Sequence, residues 1–263
     1  GGAHTRREQG RLAPAYCCLR NLIALCDPIC IRPSIVQCSI LYRDSQVKAL
    51  KMSHSDPFQH SARLADLTAS RLIHEIVGPI GVISNGLELM EELGADAGAD
   101  ALTLVSNSAR DATNRLKFYR MAYGRSGIEI TSMAQLRAVA VAFMADQPRH
   151  DLSWPLPPVL PSLSQGMGRV MLILIEVAKE CLPRGGLVRV AVEDGVAHVI
   201  AQGKNQGEVA QVPDALGLAL TGKASMEDLT PQTVHGALAW AFIHAIGGQI
   251  TIQSADGALQ FTV

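Results

Sequence analysis

The stretch SRLIHEIVGPIGVISNGLELM, residues 70–90, decides the fold. Ile73, Ile76, Ile80, Ile83, Leu87 and Met90 recur at steps of 3, 4, 3, 4 and 3, the heptad seam of a packed helix. The helix-prone run extends over residues 62–92 and breaks at LGADAGAD, residues 93–100. Beyond it Leu102, Val105, Ala109, Ala112, Leu116 and Tyr119 repeat the same steps. Two seamed helices with a short connection predict an antiparallel hairpin. A lone hairpin cannot bury both of its faces, so two copies are expected to pair as a four-helix bundle, making a homodimer.

His74 stands one residue past Ile73, which turns its ring out of the seam and towards solvent. Pro79, inside the same run, lacks an amide donor and crowds the carbonyl four residues back, loosening or kinking a helix by about 3 kcal/mol. From His74, steps of 4, 3, 4 and 3 bring Gly78, Gly81, Asn85 and Glu88 into line. Each helical glycine costs about 1 kcal/mol relative to alanine, so two on an exposed face suggest a smooth groove for a partner's helix. With Pro79, these residues form the candidate docking face. The plainer alternatives are a solvated His74 and a Gly78 that only accommodates Pro79. An imidazole titrates near neutrality and offers a neutral ring nitrogen as nucleophile. The neighbouring Glu75 is placed to hold the other ring proton or to accept one.

The 263 residues carry a formal charge of -1 with 48% apolar residues. Those figures exclude a global basic field for nucleic acid and a disordered chain. No apolar run approaches the ~18 residues that cross a bilayer, so no membrane span is expected. The balance hides an asymmetry. Residues 1–52 hold eight Lys/Arg against three Asp/Glu, a net of +5, and the rest holds fifteen against twenty-one, a net of −6. Cys17, Cys18, Cys26, Cys30 and Cys38 also fall in the first stretch, leaving only Cys181 beyond it. Residues 1–51 therefore read as a leader outside the functional domain, with Met52 as its start. A zinc site built on Cys26 and Cys30 is the alternative for that stretch. A secretory signal is not expected, because Asp27 and Pro28 break the apolar run. One cysteine in the body suggests a reducing cytoplasm.

The carboxy-terminal part, residues 127–263, alternates helical and strand-like segments. Helices are predicted near 131–146 and 167–182, and a hairpin over 187–203 turning at Asp194-Gly195. Thr230 and Pro231 suit the start of a helix ending at Gly247-Gly248. A second hairpin turns at Asp256-Gly257. The fold class expected is α+β: a helical hairpin over residues 52–126, then an α/β two-layer sandwich.

His74-Glu75-Ile76-Val77-Gly78-Pro79 resembles the HExxxP phosphoacceptor box of two-component histidine kinases. The run through Asn85-Gly86-Leu87-Glu88-Leu89 looks more specifically like the ChpT-type histidine phosphotransferases. LPRGGLVRVAVED and AFIHAIGGQITIQSADGALQFTV resemble the kinases' ATP-binding Bergerat fold, in degenerate form. Where the last metal-holding Asn of that fold would stand, the chain reads Glu176-Val177-Ala178-Lys179. Ile200-Ala201-Gln202-Gly203-Lys204 supplies no acidic Asp-x-Gly-x-Gly loop, and no glycine-rich lid precedes the last helix. Lys179 or Lys204 beside a residual pocket could mimic anion binding; the plainer reading is a solvated lysine. Without metal and phosphate cradle no kinase step is expected.

The resemblance implies a histidine phosphotransferase that passes a phosphoryl group between receiver-domain aspartates, from the receiver of a hybrid kinase to response regulators. It needs no cofactor of its own; the partner receiver brings the Mg²⁺. Gly78 stands where kinases with phosphatase activity commonly have Thr or Asn, which argues against that activity here. The competing readings are an ATP-dependent kinase with a divergent pocket and an inert dimeric scaffold.

Overall fold

In the computed structural model, the residues described are 57–94, 98–125, 132–145, 147–158, 162–205 and 208–263. Residues 1–51, with their expected leader role and the alternative zinc site on Cys26 and Cys30, lie outside them. The first helix, α1, spans Pro57–Leu93 and the second, α2, Gly98–Ala122. At 1.5 Å per residue, α1's 37 residues make a rod of roughly 55 Å. Pro79 sits inside it, and the helix runs on unbroken. The connection is shorter than the sequence suggests, since helix resumes at Gly98.

The helices pack tightly at Gly86, where an added Cβ would stand 2.5 Å from Val105 Cγ2. Glycine at that point lets the two backbones approach. Much of the seam, however, stays outside the hairpin. Ile73, Ile80 and Leu87 of α1 and Leu102 and Leu116 of α2 are exposed in the single chain, as is Val77.

The α/β layer follows: α3 Met133–Ala145, β1 His150–Ser153, α4 Met167–Glu180, β2 Gly186–Glu193, β3 Val196–Gly203, α5 Asp214–Leu220, α6 Val234–Ala245, β4 Thr251–Ala255 and β5 Ala258–Thr262. The sheet order is β1-β2-β3-β5-β4, with β1 parallel to β2 and every other pair antiparallel. Both hairpin turns fall where the Asp-Gly pairs put them, with Asp194 and Gly195 at φ of 50° and 84° and Asp256 and Gly257 at 52° and 76°, the left-handed pair a tight hairpin needs. Val188, Val190, Ala197, Val199, Ala201, Leu259 and Phe261 form the buried face, alternating as strands with one wet side do.

Three features depart from expectation. Strand β1 and the short α5 went unanticipated, being too short to show a period. The last helix begins at Val234, not at Pro231, because Thr230 to Thr233 form a preceding turn in which Thr233 Oγ1 accepts from the Thr230 amide at 3.0 Å. α4, by contrast, is the buried helix expected near 167–182, covered from Met167 to Ala178.

The hairpin is joined to this layer within one unit, Asp56–Val263. Phe118 of α2 stacks on Phe143 of α3 at 3.9 Å between centroids. At the start of α1, Arg63 donates to the carbonyls of Met226 and Glu227 at 2.8 and 3.1 Å, and Leu67 packs with Leu229 and Val234.

Candidate functional site

His74 lies seven residues beyond Leu67, 20° short of two full turns and so on nearly the same face of α1. The α/β layer covers Leu67 but ends before His74, whose side chain is 85% exposed. The ring is thus held on a rigid helix at the margin of the layer, open to a macromolecular partner.

Glu75 is less exposed, and its two carboxylate oxygens are used differently. Oε1 stands 4.0 Å from His74 Nδ1, beyond hydrogen-bond distance but on that side of the ring. Oε2 accepts from Arg115 Nη1 of α2 at 2.9 Å. Arg115 is in turn gripped by Asp111, whose Oδ1 accepts from Nε at 2.8 Å. The carboxylate is therefore fixed beside the imidazole by a strap from the second helix.

Gly78 and Gly81 are exposed, and an added Cβ at either would meet nothing within 4 Å. Asn85 and Glu88 are exposed as well, while Pro79 is half-buried. Helical spacing thus gives an open strip running from His74 towards the hairpin's tip. An apolar groove of about 770 Å³ opens nearby, with Leu72 and Ile76 of α1, Leu116 and Tyr119 of α2 and Phe242 of α6 in its walls.

One turn before His74, Arg71 enters the protein. The residue is 5% exposed, and its guanidinium donates from Nη2 and Nε to Glu176 Oε1 at 2.7 and 3.1 Å, and from Nη1 to the Pro231 carbonyl at 3.2 Å. It also pairs with Glu180, while the Tyr123 hydroxyl donates to the other oxygen of Glu176. His235 Nε2 completes the cluster 3.2 Å from Glu180 Oε2. Burial by itself would push both carboxyls up. The Arg71 charge above all, with His235 and the Tyr123 hydroxyl, leaves Glu176 below the usual carboxylate range instead. For Glu180, the adjacent His235 ring, with Arg71, overcomes burial and holds it down at about 2. Burial, and then the Glu176 charge, keeps the Tyr123 hydroxyl protonated.

Residues 133–258 match the family described as the histidine phosphotransferase C-terminal domain. The protein phosphotransferase ChpT of Brucella abortus (strain 2308) is 29% identical over 202 residues, which is 76% of this chain and 94% of that protein. A solved structure of a bacterial phosphotransferase superposes with a TM-score of 0.64 at 28% identity, covering 80% of this chain and 98% of that one. In sequence and in fold the chain is thus similar to ChpT-type phosphotransferases. The histidine kinase AdeS of Acinetobacter baumannii is more distant, at 14% identity and a TM-score of 0.37 over 72% of this chain and 95% of that one.

In this chain, the position read as a lost metal ligand is a structural anchor. Glu176 is fully buried and receives an arginine from the helical hairpin. Lys179 lies over the Phe143 ring at 5.3 Å, and Lys204 faces Asp151 at 3.8 Å. Cys181 is buried, and desolvation pushes its thiol up to about 12, which keeps it unreactive. Among the described residues no group of His, Cys, Asp and Glu is arranged to hold a metal, and no helix is long and apolar enough to cross a membrane.

Arg71 and Arg115 are the residues that sequence reading missed, and Glu176 is the one whose role it misread. Arg71 stands three positions from His74, but its partners lie 105 and 109 residues away. A helix-prone arginine on a polar flank carries no local mark of burial. Arg115 and Asp111 do show an i, i+4 pairing, the one local signal available.

Proposed function

We infer that this chain is a phosphorelay histidine phosphotransferase, with His74 as the group that carries the phosphoryl. The exposure of His74 on a rigid helix, beside a carboxylate held in place by Arg115, is the observation that carries the reading. Because Glu75 faces Nδ1, the outward Nε2 is the nucleophile. Neutral Nε2 attacks phosphorus in a receiver's aspartyl phosphate, the phosphorus–oxygen bond to that carboxyl breaks, and the aspartate leaves as a carboxylate. The ring proton stays on Nδ1, where Glu75 stabilises the charge the ring has gained. Transfer to the next receiver reverses these steps.

Mg²⁺ belongs to the receiver in this scheme, and the chain supplies no cofactor. Gly78, Pro79, Gly81, Asn85 and Glu88 form the surface on which receiver domains dock, first that of a hybrid kinase and then those of response regulators. The exposed Ile73, Val77, Ile80 and Leu87 of α1 with Leu102 and Leu116 of α2 support a homodimer, since a second hairpin covers both stripes in a four-helix bundle. The protein works in the cytoplasm without nucleic acid or membrane. Domain limits of 52–126 for the hairpin and 127–263 for the α/β layer are consistent with this division of labour. The Arg71–Glu176 anchor supports a layer that braces the hairpin instead of feeding it ATP, because Glu176 is fully engaged by Arg71 and Tyr123.

His74→Ala should abolish labelling by a phosphorylated receiver while light scattering still reports a dimer. Labelling retained in that variant refutes the reading. Autophosphorylation with labelled ATP is expected to be absent, and its presence would favour a kinase with a divergent pocket.

A further inference from the structure

The backbone around His74 contains a hydrogen-bonding gap. Proline at position 79 has no amide hydrogen, so the Glu75 carbonyl, four residues back, loses its ordinary helical donor. Yet α1 continues without a break across this turn. The Arg115 guanidinium lies against the gap. Its Nη1 reaches the Glu75 carbonyl at 3.4 Å as well as Glu75 Oε2 at 2.9 Å, and Asp111 fixes the fork through Nε. One side chain of α2 thus contacts both the main chain and the side chain of the residue next to His74. A planar guanidinium with several donors suits that double duty, and an ammonium does not.

We propose that Arg115 is a positioning residue for the phosphoacceptor: it replaces the hydrogen bond that Pro79 removes and holds the Glu75 carboxylate on the Nδ1 side of His74, so that the ring presents Nε2 outward. The proposal rests on His74 as the phosphoryl carrier only for its consequence in rate; its effect on the ring is independent of any transfer. When Arg115 is removed, the Glu75 carboxylate loses its anchor and spreads over its rotamers. The Nδ1-protonated tautomer of His74 should become less populated, and nucleophilic attack slower.

The test uses the full chain with two readouts. Nitrogen-15 NMR of the His74 ring reports the tautomer without any phosphodonor. Labelling by phosphoramidate reports reactivity without a partner protein, as its phosphorus–nitrogen bond breaks, ammonia leaves and the phosphoryl passes to the ring. Arg115→Ala should lower the Nδ1–H population and slow labelling roughly tenfold, a fraction of the ~10²–10⁴ that a positioned acid or base supplies. Glu75→Ala should do the same, and the double variant should be no worse than either single one, because Arg115 acts through Glu75. Arg115→Lys, which keeps charge but not the fork, should recover only part of the loss. It carries the test if the alanine variant melts. A wild-type ring spectrum in Arg115→Ala, fully additive losses in the double variant, or complete rescue by lysine each overturns the proposal. Failure of His74 to label in the wild type, with the tautomer shift still present in Arg115→Ala, overturns the phosphotransfer reading and leaves the positioning role standing.

Discussion

Arg71→Ala isolates the contact that ties the phosphoacceptor helix to the α/β layer. Arg71 Nη2 lies 2.7 Å from Glu176 Oε1, with side-chain exposures of 6% and 0%. At an effective dielectric of about 20, two charges at that distance attract by about 6 kcal/mol. Much of that is offset by the cost of taking both ions out of water. Truncating the arginine changes the balance, since Glu176 then stays buried with Tyr123 and its neighbours but without its principal cation. Removal of one partner from such a pair costs about 3–5 kcal/mol. Urea unfolding followed by circular dichroism should show the midpoint falling by about 2 M for a slope of about 2 kcal/mol/M. The paired change Arg71→Met with Glu176→Leu should recover most of the loss, because a buried ion pair is replaceable by apolar packing of similar volume. A loss below about 1 kcal/mol for Arg71→Ala, the range of exposed ion pairs, would refute the anchor.

The other predictions read different parts of the molecule. Glu180 is held at about 2 against a usual 4.5, so its contribution, on the order of 3 kcal/mol, is complete above about pH 4.5 and lost as pH falls from there towards 2; Glu180→Gln should flatten the pH dependence of the urea midpoint across that window. Gly81→Ala should raise the melting temperature by relieving a helix glycine worth up to about 1 kcal/mol, as its Cβ meets open space, whereas Gly86→Ala should cost about 1–3 kcal/mol by driving a Cβ to 2.5 Å from Val105. Equal melting shifts for the two would contradict the hairpin packing. Ile80→Asp should convert the dimer to monomer in light scattering with little change in secondary structure; an unchanged mass would remove the exposed stripe as the subunit contact.

The helical hairpin was legible because its cause is local. A heptad of isoleucines and leucines, a break of small residues and a second heptad leave little choice of structure, and the Asp-Gly pairs fix the two β-turns in the same way. The exposure of His74 followed from counting one residue off the seam. The seam's own disposition was not legible: period alone does not say whether Ile80 faces the other helix of its chain or another copy. Strand β1, four residues paired in parallel with β2, carries too little pattern to be seen.

The sequence by itself determined the class of fold, the ChpT-type resemblance and the placing of one imidazole outside a helical seam. All three depend on residues within a turn or two of each other, where spacing is geometry. Only the tertiary structure decided what surrounds that imidazole. Arg115 comes from 40 positions away to hold Glu75, and Glu176, read from sequence as a missing metal ligand, is the buried counter-ion of Arg71 from 105 positions away. Charges of this kind carry no periodicity and gain their partners only when the chain has folded, since it is burial that makes an unpaired ion costly and a paired one informative.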